Sequence, residues 1–214
     1  MCPRTLPFIE LLDTLMTNPV LEALKTRRTQ YALGKTLPLP KAEIAQLIQD
    51  AIKYSPSPFN SQSSRAIILF GAQSDEFWGL VLEALRKVVP ADQFSASEGR
   101  INSFAAGAGT VLFYEDQSVV KGLQEKFAPY ADNFPIWSDQ SSGMAQLAVW
   151  TALAGVGVGA SLQHYNPLVD AAAAKRWDVP ADWKLRAMMP FGANAAGFGE
   201  KTFMSDAERF RVVG

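Results

Sequence analysis

The sequence predicts an α+β fold, a mixed α/β sandwich, on three observations. Four continuous apolar runs of strand length occur at residues 65–71, 109–115, 156–162 and 184–192. They are set apart by stretches of helical periodicity, the pattern of a sheet covered by helices. Residues 138–167 read as a central helix, apolar on all faces, that feeds one of these strands. No internal repeat, low-complexity tract or linker divides the chain, so residues 18–214 read as one domain and residues 1–17 as an N-terminal extension.

Taken in order, Leu11, Leu12, Leu15 and Met16 of the extension suit a short amphipathic helix or a surface-packed segment. With Arg4 as its one cation and Glu10 and Asp13 present, the extension is a poor signal or transit peptide. Asn18-Pro19 starts a helix by pairing a capping side chain with proline at the first turn. Val20, Leu21 and Leu24 form its buried face, and it ends in Lys25-Thr26-Arg27-Arg28-Thr29. Ile44, Leu47, Ile48, Ala51 and Ile52 mark a second helix after Pro38 and Pro40. The loop Ser55-Pro-Ser-Pro-Phe-Asn-Ser-Gln62 follows, then strand 65–71 and a third helix carrying Phe77, Leu80, Val81, Ala84, Leu85 and Val88.

Residues 90–108 read as irregular and 118–128 as helical. An aromatic loop over 127–137 contains Phe127, Tyr130, Phe134 and Trp137. Ser138 and Asp139 are good capping residues for the central helix, which Gly155 stops. Strand 156–162 leads to the turn that holds His164, and Asn166-Pro167 repeats the Asn-Pro start for a helix ending near Trp177. Strand 184–192 precedes a glycine-rich loop, and residues 208–213 suit one more strand.

Composition excludes several classes. With 48% hydrophobic and 19% charged residues, the chain is not disordered. A net charge of −1 without basic runs gives no attraction to nucleic acid. The apolar run 144–162 is broken by Gln146 and three glycines, which favours helix plus strand over a membrane span. Cys2 and His164 are the only residues of their types, so neither an intrachain disulfide nor a zinc or multi-histidine centre is expected. Such a composition suits a reducing cytoplasm.

Gly155, Gly157 and Gly159 have the wrong spacing, and follow a helix, so close backbone packing explains them better than a dinucleotide fingerprint. No Walker-type loop or GxSxG elbow is present. Arg27-Arg28-Thr29 offers charge-assisted donors suited to a phosphate, or cations that complement a helix C-terminus. In 55–62 the prolines stiffen the backbone, which lowers the entropy lost when Ser57, Asn60 and Gln62 bind a ligand; an ordinary turn-rich loop reads the same way. Lys201, after Gly197 and Gly199, is a further cation or a plain surface lysine.

The segments RRTQYAL (27–33), SPSPFNSQSSR (55–65), GAGTVLFYED (107–116), 140–167, WKLRAMMPFG (183–192) and GEKTF (199–203) occur in that order. As an ordered set they resemble the nitroreductase superfamily of FMN enzymes, and particularly its fatty-acid-repression-mutant or oxidoreductase-like subgroup. The resemblance spans about residues 20–210. It implies a nitroreductase-like fold with a central mixed sheet flanked by helices. It also implies an intertwined homodimer with two FMN sites shared between subunits.

Carried over residue by residue, the resemblance implies that Arg27, Arg28 and Thr29 bind the FMN phosphate and ribityl chain, with Lys201 also at the phosphate. Pro56, Ser57, Pro58, Asn60 and Gln62 lie on the loop laid against the partner's flavin ring. Ser161, Leu162, Gln163 and His164 pass the ring's reactive edge, with the Gln163 amide directed at N5. Better-known bacterial members tend to have an acidic residue and a glycine where Gln163 and His164 stand, so the ring's pyrimidine edge is held differently here. No catalytic side chain is implied, because the flavin carries the chemistry.

The implied activity is ping-pong electron transfer from NADH or NADPH to small electron-poor acceptors such as nitroaromatics or quinones. Tyr130, Phe134 and Trp137 are expected to cover the ring or to form dimer core. The alternative is a flavin-binding protein of fatty-acid or redox sensing with little turnover. No nucleic acid or membrane partner is expected.

Overall fold

A computed structural model describes residues 18–214. The expectations for residues 1–17 lie outside the described residues. The helices are α1 (Pro19–Thr26), α2 (Lys41–Lys53), α3 (Ala72–Arg86), α4 (Phe94–Ala105), α5 (Gln117–Lys126), α6 (Phe134–Gly155), α7 (Asp170–Trp177) and α8 (Asp206–Arg209). The strands are β1 (Leu33–Gly34), β2 (Ser64–Phe70), β3 (Gly109–Asp116), β4 (Val158–Ala160) and β5 (Trp183–Asn194).

The sheet order is β1-β5-β3-β2, with β4 also paired to β5. Layering is mixed as expected, but every pair of named strands is antiparallel. The one parallel bridge among the described residues joins Thr29 to Ala160. Alternation along β3 sends Leu112 and Tyr114 to one face, against Phe77, Trp78, Ile101 and Phe104 of α3 and α4. It sends Val111 and Phe113 to the other face, against Ile44 and Ile48 of α2 and Val149 and Leu153 of α6. In β5 the register skips one residue, since Phe113 opposes Ala187 and Tyr114 opposes Leu185. Arg186 is therefore a bulge. It turns Leu185 and Ala187 to opposite faces and leaves its own guanidinium to pair with Asp139 of α6 at 2.8 Å.

The cap expected at α1 holds, since the Asn18 side chain accepts from the amides of Val20 and Leu21 at 2.9 and 3.3 Å, but the buried face does not: Val20 and Leu21 are 65% and 53% exposed. Other boundaries are corrected. The stretch read as irregular contains α4, because Phe94, Ile101 and Phe104 are buried on one face despite the poor helix formers between them. The aromatic loop becomes a 3₁₀ segment, Ala128–Asn133, and the first turn of α6, with proline in that first turn. Ser138 thus lies inside the helix, and its hydroxyl donates to Glu115 instead of capping.

Nor does the second Asn-Pro start a helix. The Asn166 side chain turns to the Leu185 carbonyl, and α7 begins only at Asp170. Residues 208–213 form no strand: α8 ends at Arg209, and Val212 and Val213 lie exposed with no strand beside them. The central helix is not buried all round, since Ile136, Met144 and Leu147 are 56%, 42% and 44% exposed. Close packing at the glycines is real at Gly159, where a Cβ would sit 2.4 Å from the Asn194 side-chain oxygen, and Gly157 turns the chain at φ +79°. No helix among the described residues is long and apolar enough to cross a membrane.

Candidate functional site

Three chain segments meet where α1 ends. The Gln30 amide donates to the Ala160 carbonyl at 2.9 Å, which fixes residues 27–30 beside β4 and the turn that follows it. Gln30 is only 4% exposed. Its side-chain nitrogen donates to the Ala196 carbonyl at 2.7 Å and its oxygen accepts from the Ala32 amide at 2.9 Å. One buried side chain therefore joins the Arg27–Thr29 segment to the C-terminal loop. Arg28 Nη2 adds a donation to the Gly199 carbonyl at 2.6 Å, with its guanidinium 5.7 Å from the Phe198 ring. Arg27 lies 4.4 Å over the Trp150 ring of α6. Lys201, two residues past Gly199, is exposed with its ammonium 5.1 Å from the Phe203 ring.

Arg27, Arg28 and Lys201 make no ion pair among the described residues. Other basic residues of the chain do: Lys25 with Glu22, Lys35 with Asp75, and Arg176 with Glu76. Three cations without carboxylate partners among the described residues thus lie on two cross-linked segments, a charge pattern suited to attracting a multiply charged anion.

Beyond Ala160 the chain runs along β5. Ser161 is fully buried and its amide donates to the Pro190 carbonyl at 3.3 Å. Gln163 exchanges both backbone hydrogen bonds with Met188, at 2.8 and 3.0 Å. Its amide is thus committed to the sheet, which corrects the expectation that it is directed at a flavin. Flanking amides of an antiparallel pair point the other way. Those of Leu162 and His164 have no acceptor among the described residues. The Gln163 side chain donates to Ser161 Oγ at 3.0 Å, and Leu162 is half-buried. His164 is exposed beside a polar pocket of about 280 Å³ lined also by Ser142, Gln146, Asn166 and Arg186.

The 55–62 loop packs elsewhere in the chain. Its turn is held by the Gln62 amide donating to Ser57 Oγ at 2.9 Å and by the Asn60 amide donating to the Ser57 carbonyl at 3.0 Å. Phe59, Asn60 and Gln62 have φ of 54°, 50° and 51°, a left-handed conformation costly for side-chain-bearing residues. Phe59 stacks on Phe127 at 4.6 Å and meets Phe134 at 5.7 Å. Pro56, Ser57 and Gln62 line a groove of about 610 Å³ along β2, while Asn60 is exposed and Pro58 half-buried. No hydrogen bond joins this loop to residues 27–30 or 160–164 among the described residues. Phe134, at 1% exposure, is core beneath the loop and cannot cover a ligand itself, whereas Tyr130 is half exposed.

Sequence reasoning missed the bracing of this loop. Glu115 is fully buried and accepts from Ser63 at 2.6 Å, from Ser138 at 2.7 Å and from Ser64. Next to it, burial works to raise the Asp116 carboxyl. The Ser118 hydroxyl and amide and the Arg65 charge outweigh burial and hold it below the usual carboxylate value. The serine run after the loop was the available signal for this cluster, yet nothing in the sequence placed Glu115 beneath it. Gln30, between Thr29 and Tyr31, had no signal at all.

The family profile described as "Nitroreductase family" matches residues 24–193. The protein HBN1 of Saccharomyces cerevisiae is 38% identical over 193 residues, 89% of this chain and 96% of its own, and nitroreductase FRM2 of the same yeast is 33% identical over 193 residues, 89% of this chain and 95% of its own. Nitroreductase CinD from Lactococcus lactis, solved with chloramphenicol, is 47% identical with a TM-score of 0.84, covering 91% of this chain and all of its own. CinD has also been solved with nicotinic acid and with 4-nitrophenol. A nitroreductase with bound FMN from Desulfitobacterium hafniense shares the fold at a TM-score of 0.68 and 16% identity, covering 93% of this chain and all of its own. The profile covers most of the chain and the relatives align along nearly their whole length: this chain belongs to the nitroreductase family.

Proposed function

We propose that the protein is an FMN-dependent oxidoreductase that takes electrons from NADH or NADPH and passes them to electron-poor small molecules such as nitroaromatics or quinones. The carrying observation is the set of three cations without carboxylate partners among the described residues, Arg27, Arg28 and Lys201, together with the unengaged amides at 162 and 164 on the segment that Gln30 ties to residues 27–30 through Ala160. A dianionic phosphate fits the first feature and a ring with acceptor atoms fits the second. The nitroaromatic ligands of CinD and the FMN of a fold neighbour agree with the reading.

On this reading Arg27, Arg28 and Lys201 neutralise the phosphate, and the Thr29 hydroxyl reaches the ribityl chain. Ser161 to His164 lie at the ring edge, with an amide donor from Leu162 or His164. Bound FMN supplies the two-electron redox chemistry, so the chain needs only to bind, orient and shield it. One acceptor position serves donor and acceptor in turn, which makes the kinetics ping-pong. With Cys2 as the single cysteine, we place the reaction in the reducing cytoplasm.

The working unit is an intertwined homodimer. The outer edge of β2 is unpaired among the described residues, and unpaired edges and broad apolar patches mark partner surfaces. Ile136, Met144 and Leu147 expose an apolar stripe on α6, and Phe203, Met204, Phe210, Val212 and Val213 are exposed in the C-terminal segment. The loop with Pro56, Ser57, Pro58, Asn60 and Gln62 then serves the flavin of the second copy.

Steady-state NADH and NADPH oxidation at several nitroaromatic concentrations tests the activity. Parallel double-reciprocal lines are expected, and converging lines or no FMN-dependent oxidation contradict the proposal. Sharing of the site is tested by mixing chains carrying Asn60→Ala with chains carrying Arg28→Ala. Mixed dimers then hold one intact site, so activity above either parent is expected. No recovery on mixing contradicts the shared site.

A further inference from the structure

We propose, resting on the flavin reading above, that Trp150 of α6 is a positioning residue for the phosphate end of the site: its indole face holds the Arg27 guanidinium in place for the anion. The guanidinium carbon lies 4.4 Å from the indole centroid. Such attraction extends to about 6 Å, and tryptophan is the strongest aromatic partner for a cation. Beyond this contact the Arg27 side chain makes no hydrogen bond or ion pair among the described residues. Its neighbour Arg28 is tied to the Gly199 carbonyl, and Arg86, also 4.4 Å over a ring, pairs with Glu98 at 2.8 Å.

Both halves of the contact are themselves placed. Arg27 is where α1 ends: its backbone turns extended, at φ −66° and ψ 111°, while its amide still donates to the Ala23 carbonyl. Three residues on, the Gln30 amide is bonded to Ala160. The backbone is pinned on both sides, so the long side chain is the part left to be ordered. Trp150 packs against the core cluster that holds Val149, Leu153, Val158 and Ala160, and so does Leu162 of the ring-edge segment. The platform under Arg27 and the segment assigned to the ring edge therefore share one core. The indole N–H is buried and has no acceptor among the described residues, so the indole serves Arg27 through its face.

A cation over an aromatic face is held without spending its N–H groups on an acceptor, so the guanidinium fork stays available for a phosphate. The rotamer freedom of a long side chain is restricted before the ligand arrives, which lowers the entropy that binding must otherwise cost. Trp150 is uncharged, so removing it leaves the charge of the site as it was. Its contribution is confined to the phosphate end, because Arg27 is the group it holds.

The test titrates apoprotein with FMN and with riboflavin, which differ only in the phosphate. Trp150→Leu fills the core without an aromatic face and is expected to weaken FMN about tenfold while leaving riboflavin within about twofold. Trp150→Phe keeps a smaller face and is expected to cost about threefold for FMN alone. Beside Arg27→Ala, neither substitution weakens FMN further. Where the leucine variant does not fold, the phenylalanine variant carries the test through the same comparison. The proposal is overturned if the folded variants keep the wild-type preference for FMN over riboflavin. It is also overturned if both flavins weaken alike, which marks a structural role, or if the losses multiply with that of Arg27→Ala. A wild type that binds both flavins equally keeps a flavin site and overturns the phosphate role of this pair; one that binds neither removes the flavin reading and this inference with it.

Discussion

Replacing Arg28 by alanine is a sharp probe of the anion site, because this side chain has two connections. Its charge has no carboxylate partner among the described residues, and it donates to the Gly199 carbonyl at 2.6 Å, on the loop that carries Lys201. A hydrogen bond involving a charged group contributes about 1.5–3 kcal/mol, so Arg28→Ala should weaken FMN binding roughly 10- to 150-fold. Lys201→Ala, at an exposed position, should cost roughly tenfold. The two losses should not add. Once Arg28 no longer holds Gly199, part of the Lys201 contribution is already gone, and the double variant should be tighter than the sum predicts by about 0.5–2 kcal/mol. Fluorescence titration of apoprotein with FMN measures all four corners of the cycle. A single-variant loss below about threefold, or additivity within about 0.3 kcal/mol, would refute the coupled anion site.

Other consequences concern the support beneath the 55–62 loop. Glu115→Ala leaves three buried or half-buried hydroxyls without their acceptor and should destabilise the protein by about 3–5 kcal/mol in denaturant unfolding. Glu115→Gln keeps an acceptor oxygen and should cost less than half of that; equal losses would show that packing alone matters. Asp116, whose folded carboxyl titrates below its ordinary value of 3.8, contributes stability above that pH and loses it as pH falls through the folded value. The stability gap between wild type and Asp116→Asn should therefore be full at pH 7 and close below about pH 4, and a gap that persists at pH 2 would contradict the assignment.

The fold was legible wherever one residue class dominated a window. The runs in β2, β3 and β5 and the Asn18 cap needed no tertiary context. Elsewhere tertiary burial overrode local signals. Phe94, Ile101 and Phe104 carry α4 through Ser95, Ser97 and Gly99, which argue against a helix. Ser138 and Asn166 look like caps, but their side chains bond to Glu115 and to the Leu185 carbonyl. The bulge at Arg186 shows only as an offset in pairing, which no periodicity reports.

The candidate site was legible in part for the same reason. Arg27, Arg28 and Lys201 stand out as charges, but the Gln30 clasp that joins their segments is a long-range pairing across 166 residues. The Gln163 amide was misjudged because its partner, Met188, comes from a strand 25 residues later. Position along a turn does not say which amides the sheet consumes.

The most direct measurement is the absorption spectrum of the protein after incubation with FMN and exhaustive dialysis. We expect one FMN retained per chain, with a flavin band near about 450 nm that bleaches anaerobically on adding NADH or NADPH and returns on adding a nitroaromatic. A folded protein that keeps no flavin, or holds flavin that neither nicotinamide reduces, would contradict the account.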